Sequence, residues 1–424
     1  MKRYKHSLSH SHLTTMNMGR LVPVGLTEVL PGDTIQHSTS AFIRVTPLVA
    51  PVMHPVVVRV HHWFVPNRLT FAGWEEFITG GSDGLGDGKV LPTISVGAEG
   101  FGTGSIADHF GLPTGQGPLT VSALPFYAYA LIYNSWYRDE DLVPELDSSW
   151  NGTPALIAWE KDYFTTARPW PQKGPDVTLP LGTQAPVRGV NGAAPSFLYP
   201  DNVTQGDLVM SSGSANLQLD EGNSPATGFV KWVDPALYAD LAQATSVDVN
   251  TVRRAFALQR YQEARARYGS RYTEYLRYLG VRPSDARLQL PEYLGGGKQT
   301  ISFSEVLQTG PGSTDGSPVP GGVGQMAGHG VGGMRTASYR RFFEEHGYVL
   351  SLMSVRPRTM YQQGVDRTWS RTTKEDFFQK ELQEIGQQEI KQKEIFGGTS
   401  NDEGVWGYQD RYSEYKQQFN LVTG

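Results

Sequence analysis

Few stretches of this sequence place reactive side chains at spacings that chemistry requires. His61 and His62 are adjacent imidazoles, the side chain most used for proton transfer and metal ligation. They lie inside Val56 to Val65, a run of strand composition, where successive side chains point to opposite faces. Both therefore cannot ligate one ion. One is expected to pack in a sheet and the other to be exposed or at an interface. His10 and His12 share one side of an extended segment that reads as an exposed arm, and no His-Glu-x-x-His string occurs. Gly80 to Lys89 invites a phosphate-loop reading, which needs glycine at 83 and serine or threonine at 90; the residues there are Asp83 and Val90. Gly84, Gly86 and Gly88 lack the third glycine and the following helix of a dinucleotide fingerprint. Asp83 and Asp87 are too few oxygen ligands for a calcium loop. Gly80-Gly81-Ser82-Asp83-Gly84 matches the hydrolase Gly-x-Ser-x-Gly string, but more glycines follow where that motif needs a helix. A plain surface loop fits better than any of these.

Asp139, Glu140 and Asp141 follow Trp136-Tyr137-Arg138, an arrangement a glycosidase could use only with two carboxyls held across a sugar. Three acids in a row at a helix end more often make a solvated or salt-bridged cluster. The most unusual composition is Arg253 to Arg287. It holds Arg253, Arg254, Arg260, Arg265, Arg267, Arg271, Arg277, Arg282 and Arg287, no lysine, and interleaved Tyr261, Tyr268, Tyr272, Tyr275 and Tyr278. Arginine with aromatics holds phosphates and stacks single-stranded bases. The same two residue types are favoured at protein–protein interfaces. The two readings weigh nearly evenly, with a lean to interfaces. Lys2, Arg3 and Lys5 in the arm are a weaker nucleic-acid candidate.

The elements that must position these residues are mostly strands and loops. The 424 residues allow two or three domains or one elaborated β domain. With 48 glycines and 27 prolines the chain exceeds the about 12% of average usage, which suits many turns and argues against a helical bundle. Thr34 to Val45 and Val56 to Val65 read as strands, Leu124 to Asp139 as a short helix after Pro125, and Thr251 to Leu279 as a helix in two pieces divided at Gly269-Ser270. Gln299 to Leu307 and Tyr348 to Tyr361 read as late strands. Gly80 to Gly104 and Thr309 to Gly333 read as glycine-rich loops. Asp176 to Ala244 is a long run of turn formers with brief apolar patches such as Phe197-Leu198-Tyr199, the mark of a functional surface excursion. Strands at both chain ends with helices and loops between predict one β-sandwich with large insertions, of which the jelly roll is a common form.

Net charge is −5, so any nucleic-acid contact must come from a local basic surface. The absence of cysteine rules out disulfides, thiolate catalysis and Cys-ligated zinc, and fits a reducing cytoplasm. No apolar run approaches the ~20 residues that cross a bilayer. The residues alone leave open a sugar-binding or sugar-cleaving β-sandwich and a free single-stranded DNA-binding module.

Several strings resemble one family when taken in order. They begin with Asn17-Met18-Gly19, Leu21-Val22-Pro23-Val24, Glu28-Val29-Leu30-Pro31-Gly32-Asp33-Thr34 and Pro51-Val52-Met53-His54-Pro55. His61-His62-Trp63-Phe64-Val65-Pro66, Trp74-Glu75-Glu76-Phe77, Leu124-Pro125-Phe126 and Arg168-Pro169-Trp170-Pro171-Gln172-Lys173-Gly174 follow. Pro291-Glu292-Tyr293-Leu294-Gly295-Gly296, Tyr361-Gln362-Gln363-Gly364 and Gly407-Tyr408-Gln409-Asp410-Arg411-Tyr412 complete the set. Each is ordinary alone; the ordered set resembles the major capsid proteins of the Microviridae, especially the gokushovirus-like branch. The resemblance implies an eight-stranded antiparallel jelly roll with long loop insertions and a few short helices, spanning 1–424 as a single domain behind a basic arm, residues 1–20. It implies a T=1 icosahedral shell around a circular single-stranded DNA phage genome, with no enzymatic activity, cofactor or metal site. Implied partners are further copies of the chain, a scaffolding protein, a small basic DNA-packaging protein, a minor DNA-delivery protein and a host surface receptor. By position, residues 176–244 match the branch's variable insertion at the threefold axes, which makes Phe197, Leu198 and Tyr199 candidate host contacts. The family pattern also continues beyond a Val-Thr-Gly like Val422-Thr423-Gly424.

Overall fold

The computed structural model describes residues 4–48, 52, 54–80, 88–177, 187–189, 197–198, 205–206, 208–210, 217–219, 231–232, 237–239, 249–268, 272–281, 289–305, 328–383 and 385–423. The chain divides into two compact units, Met1–Gln172 with Arg265–Gly424, and Lys173–Ala264.

The first unit opens with β1 (Leu21–Val29), β2 (Thr34–His37), β3 (Ser40–Arg44), β4 (Val56–Pro66), β5 (Thr93–Val96) and β6 (Leu119–Ser122). In the second unit, β7 (Val187–Gly189), β8 (Phe197–Leu198), β9 (Gln205–Gly206), β10 (Leu208–Met210), β11 (Leu217–Leu219), β12 (Lys231–Trp232) and β13 (Leu237–Ala239) are two or three residues long. The first unit resumes with β14 (Glu292–Glu305), β15 (Gly328–Arg335), β16 (Tyr339–Phe342), β17 (Gly347–Pro357), β18 (Gln387–Lys391) and β19 (Val405–Asp410). The chain is thus mostly β, with few helices.

Pairing in the first unit is antiparallel and nested. β1 pairs with β17, β2 with β16, β3 with β15, β4 with β14, and β5 with β6, each pair lying inside the previous one in sequence. β17 also pairs with β4, and β14 with β15, giving one curled six-stranded sheet in the order β1-β17-β4-β14-β15-β3.

The composition of β4 explains its central place. A strand buried on both faces reads as a continuous apolar run, and Val56 to Pro66 is buried at nearly every position. The even-numbered face carries Val56, Val58 and Val60 onto Ile301, Met334, Met353 and Val355. Further along that face Phe64 meets Val29, Phe343 and Val349. The odd-numbered face carries Trp63 and Val65 onto Phe126, Tyr129 and Ile132. These last lie on the helix Leu124–Ile132, which has Pro125 in its first turn, where a missing N–H costs nothing. Each fully buried side chain of this size contributes about 1.5–3 kcal/mol over exposure. The helix is also pinned by polar bonds: the Tyr129 hydroxyl donates to the Leu21 carbonyl (2.8 Å) and accepts from the Ala155 amide (2.9 Å). It continues as a wider π-turn over Tyr133–Tyr137.

Several elements differ from the sequence reading. Thr34 to Val45 is two strands, β2 and β3, that pair with different partners. Residues 328–333, expected as loop, belong to β15, where buried and exposed positions alternate. Its buried glycines leave room that side chains would fill: a Cβ on Gly330 would stand 2.8 Å from Phe303 and Val45 atoms. Thr93–Val96, inside the other expected glycine-rich loop, pairs with Leu119–Ser122. Residues 306–327 lie outside the described residues.

Candidate assembly and binding surfaces

His62 is fully buried. Its Nδ1 lies 2.8 Å from the Ser351 hydroxyl and its Nε2 3.3 Å from the Thr336 hydroxyl. The His37 ring, on β2, packs against it at 4.6 Å between centroids. His61, on the opposite face, meets the Tyr137 hydroxyl at 2.7 Å. Burial pushes both imidazoles down to about 4, helped for His61 by Arg59 and for His62 by His37. The pair thus points to opposite faces as the strand period requires, and each ring is used in packing. Trp63, Trp136, Tyr137 and Tyr293 are spent on one another, with Trp63 5.1 Å from both Trp136 and Tyr293.

The acidic run is an ion-paired cluster. The Arg168 guanidinium donates to both oxygens of Asp139 at 3.0 Å and lies 3.7 Å from Asp141. This holds Arg168 onto the acids that follow the π-turn. Gly80 ends the helix Trp74–Thr79 in the left-handed conformation, at φ 83°. The rest of the Gly-x-Ser-x-Gly string, Gly81 to Gly84, lies outside the described residues.

The arginine-rich stretch forms the helix Val249–Tyr268 and the shorter helix Tyr272–Tyr278. Arg253, Arg254, Arg260, Arg265 and Arg267 are all exposed. At 3.6 residues per turn, Arg253, Phe256 and Arg260 share one stripe, and Arg254, Leu258, Tyr261 and Arg265 the next. Phe256 is 68% exposed. Val252, Ala255, Gln259 and Gln262 form the less exposed stripe behind. Arg267 approaches Asp410 at 3.3 Å. Arg271 lies outside the described residues. The helix therefore presents cations and large apolar side chains side by side, which suits an interface better than a purely phosphate-binding face.

Among the other candidates, Lys5 is exposed, whereas Lys2 and Arg3 lie outside the described residues. Phe197 and Leu198 form β8, which pairs with Trp232 and Lys231 of β12; Tyr199 lies outside the described residues. Composition did not reveal the network under β18 and β19. There Glu414 receives Arg371 (3.4 Å) and Gln388 (2.6 Å), while Arg367 reaches Glu394 at 3.3 Å. Its only sequence signal is a scatter of Arg and Glu that have no fixed spacing. Among the described residues no helix is long and apolar enough to cross a membrane, and no group of three or more His, Asp or Glu could hold a metal ion.

A family model described as capsid protein (F protein) matches residues 1–424. The chain is 38% identical to capsid protein VP1 of Bdellovibrio phage phiMH2K, an alignment covering all of this chain and 82% of that protein. It is 32% identical to capsid protein VP1 of Chlamydia phage 1, of which 84% is covered. With capsid protein VP1 of Spiroplasma virus 4 it shares 31%, over 82% of that protein. Because these matches run through every element described above, the chain belongs to the capsid protein (F protein) family of the Microviridae.

Proposed function

We propose that this chain is the structural subunit of a T=1 icosahedral shell that encloses a circular single-stranded DNA genome, and that its body is an eight-stranded jelly roll. The observation that carries the reading is the nesting of strand pairs in a chain of capsid-family sequence. β1 with β17, β2 and β3 with β16 and β15, β4 with β14, and β5 with β6 describe one long hairpin rolled up on itself. Closed symmetry repeats one set of contacts on every copy, so modest interfaces sum to a stable shell.

In this reading the chain has no catalytic role. Its partners are other copies, the genome, a scaffolding protein, a small basic DNA-packaging protein and a minor DNA-delivery protein. It works in the virion after assembly in the host cytoplasm. The insertion at residues 176–244 meets a host surface receptor, with Phe197, Leu198 and Tyr199 among its candidate contacts. Purified particles test the genome claim. Their extracted nucleic acid is expected to be cut by a single-strand nuclease and to resist exonucleases. Linear or double-stranded nucleic acid contradicts it.

A further inference from the structure

The N-terminal arm and one aromatic surface of the same unit are both uncovered, and they are complementary. From Tyr4 to Leu13 the backbone has neither helix nor strand. Tyr4 is 76% exposed, Leu8 66% and Leu13 97%. Thr14 is tied to His109 at 3.0 Å, so the arm has a fixed root. About ten extended residues beyond that root reach roughly 33 Å, far enough to leave the copy that owns them. The arm is basic: Lys2, Arg3 and Lys5 precede the first acid of the chain, Glu28.

The aromatic surface is built on Arg371. Its guanidinium lies 4.4 Å from the centre of the Tyr415 ring and 5.6 Å from that of Phe377, and the Phe378 ring is 6.3 Å from Tyr415. All three rings are about half exposed, and Trp369, two residues before Arg371, is 83% exposed. Single exposed apolar residues need no explanation, but a contiguous aromatic cluster marks an interaction site. Residues 374–383 beside it carry three acids, Glu375, Asp376 and Glu381, against two lysines. The Arg371–Glu414 contact already orders the surface, so docking has to order only the arm.

We propose that the arm of one copy docks on the Arg371, Phe377, Phe378 and Tyr415 surface of a second copy, with Leu8 and Leu13 supplying the apolar contact and the arm's cations facing the acids. This rests on the shell reading above. Two exposed leucines have no use against phosphate, which favours a protein occupant over DNA. Ordering about ten residues costs more than burying two leucine side chains returns, so the contact forms only when the rest of the shell holds the copies together.

The chain has no cysteine, so an engineered pair is an unambiguous reporter. Differently tagged Leu8→Cys and Phe378→Cys chains are co-expressed with the genomic neighbours, and the fast-sedimenting fraction is oxidised. A disulfide-linked heterodimer is expected in that fraction, and not in the monomer fraction or with either variant alone. Shells that form without the heterodimer overturn the proposal and leave the arm to the genome. If wild-type chains form no shells, the shell reading itself fails. If only the variants fail to assemble, a carbodiimide is applied to wild-type shells mixed from light and nitrogen-15-labelled chains. Lys5 joined to Glu375 or Glu381 in mixed-isotope peptides supports the contact between copies. Isotopically pure links, or none, overturn it.

Discussion

At the scale of single residues, His61 and His62 are absorbed into packing, and Asp139 and Asp141 into ion pairing. His62 illustrates the energetics. Its ring is neutral in the fold because burial pushes it down to about 4, and it faces His37 and Tyr339 across the gap, with His61 beside it in the strand. The unfolded chain, with a histidine near 6.5, binds more protons between pH 6.5 and 4. Stability contributed by the neutral ring is present above that window and is lost as pH falls through it, by on the order of 3 kcal/mol. Thermal midpoints measured from pH 7 to 4 are expected to fall more steeply for the wild type than for His62→Gln. Equal slopes contradict this account. The adjacency of His61 and His62 was legible, and the strand period separated them correctly. The His37 contact was not, because the two rings stand 25 positions apart in the chain and only the folded pairing brings them together.

At the scale of elements, legibility followed side-chain volume. Val56 to Val65 announces a strand because β-branched and aromatic residues fill it. β15 does not, since its inward positions Gly328, Gly330 and Gly332 carry no side chain, and glycines at the buried positions leave no hydrophobic period. β5, Thr-Ile-Ser-Val, has a strand's composition of its own, but four residues between glycines on either side were too short to stand out. Composition did reveal the arginine-rich helix, but its mixed face appears only when Phe256 and Leu258 are seen beside the arginines. Arg253→Glu with Arg254→Glu tests what that face does. As exposed substitutions they are expected to shift monomer stability by no more than about 0.5 kcal/mol, while the yield of sedimenting shells falls severalfold. Normal shell yield with reduced packaged nucleic acid would assign these arginines to the genome instead.

At the scale of the whole molecule, the nested pairing makes β1 and β17, far apart in the sequence, neighbours in one sheet and leaves long connections between strands. That arrangement was legible in outline, from strands at both chain ends. The order was not, because sequence gives strand faces but not partners. Such a body tolerates changes in its connections, and the connection at 176–244 belongs to the second compact unit. Deleting residues 185–225 is expected to leave shell formation intact and to abolish host adsorption; undiminished adsorption contradicts the proposed receptor contact.

The central claim is that copies of this chain close into a shell, and imaging tests it most directly. The chain is co-expressed with its genomic neighbours, the lysate is sedimented, and the fast fraction is examined by electron microscopy. Uniform small icosahedral shells with T=1 symmetry, containing this chain, are the predicted result. A protein that stays a monomer or small oligomer with every neighbour present contradicts it.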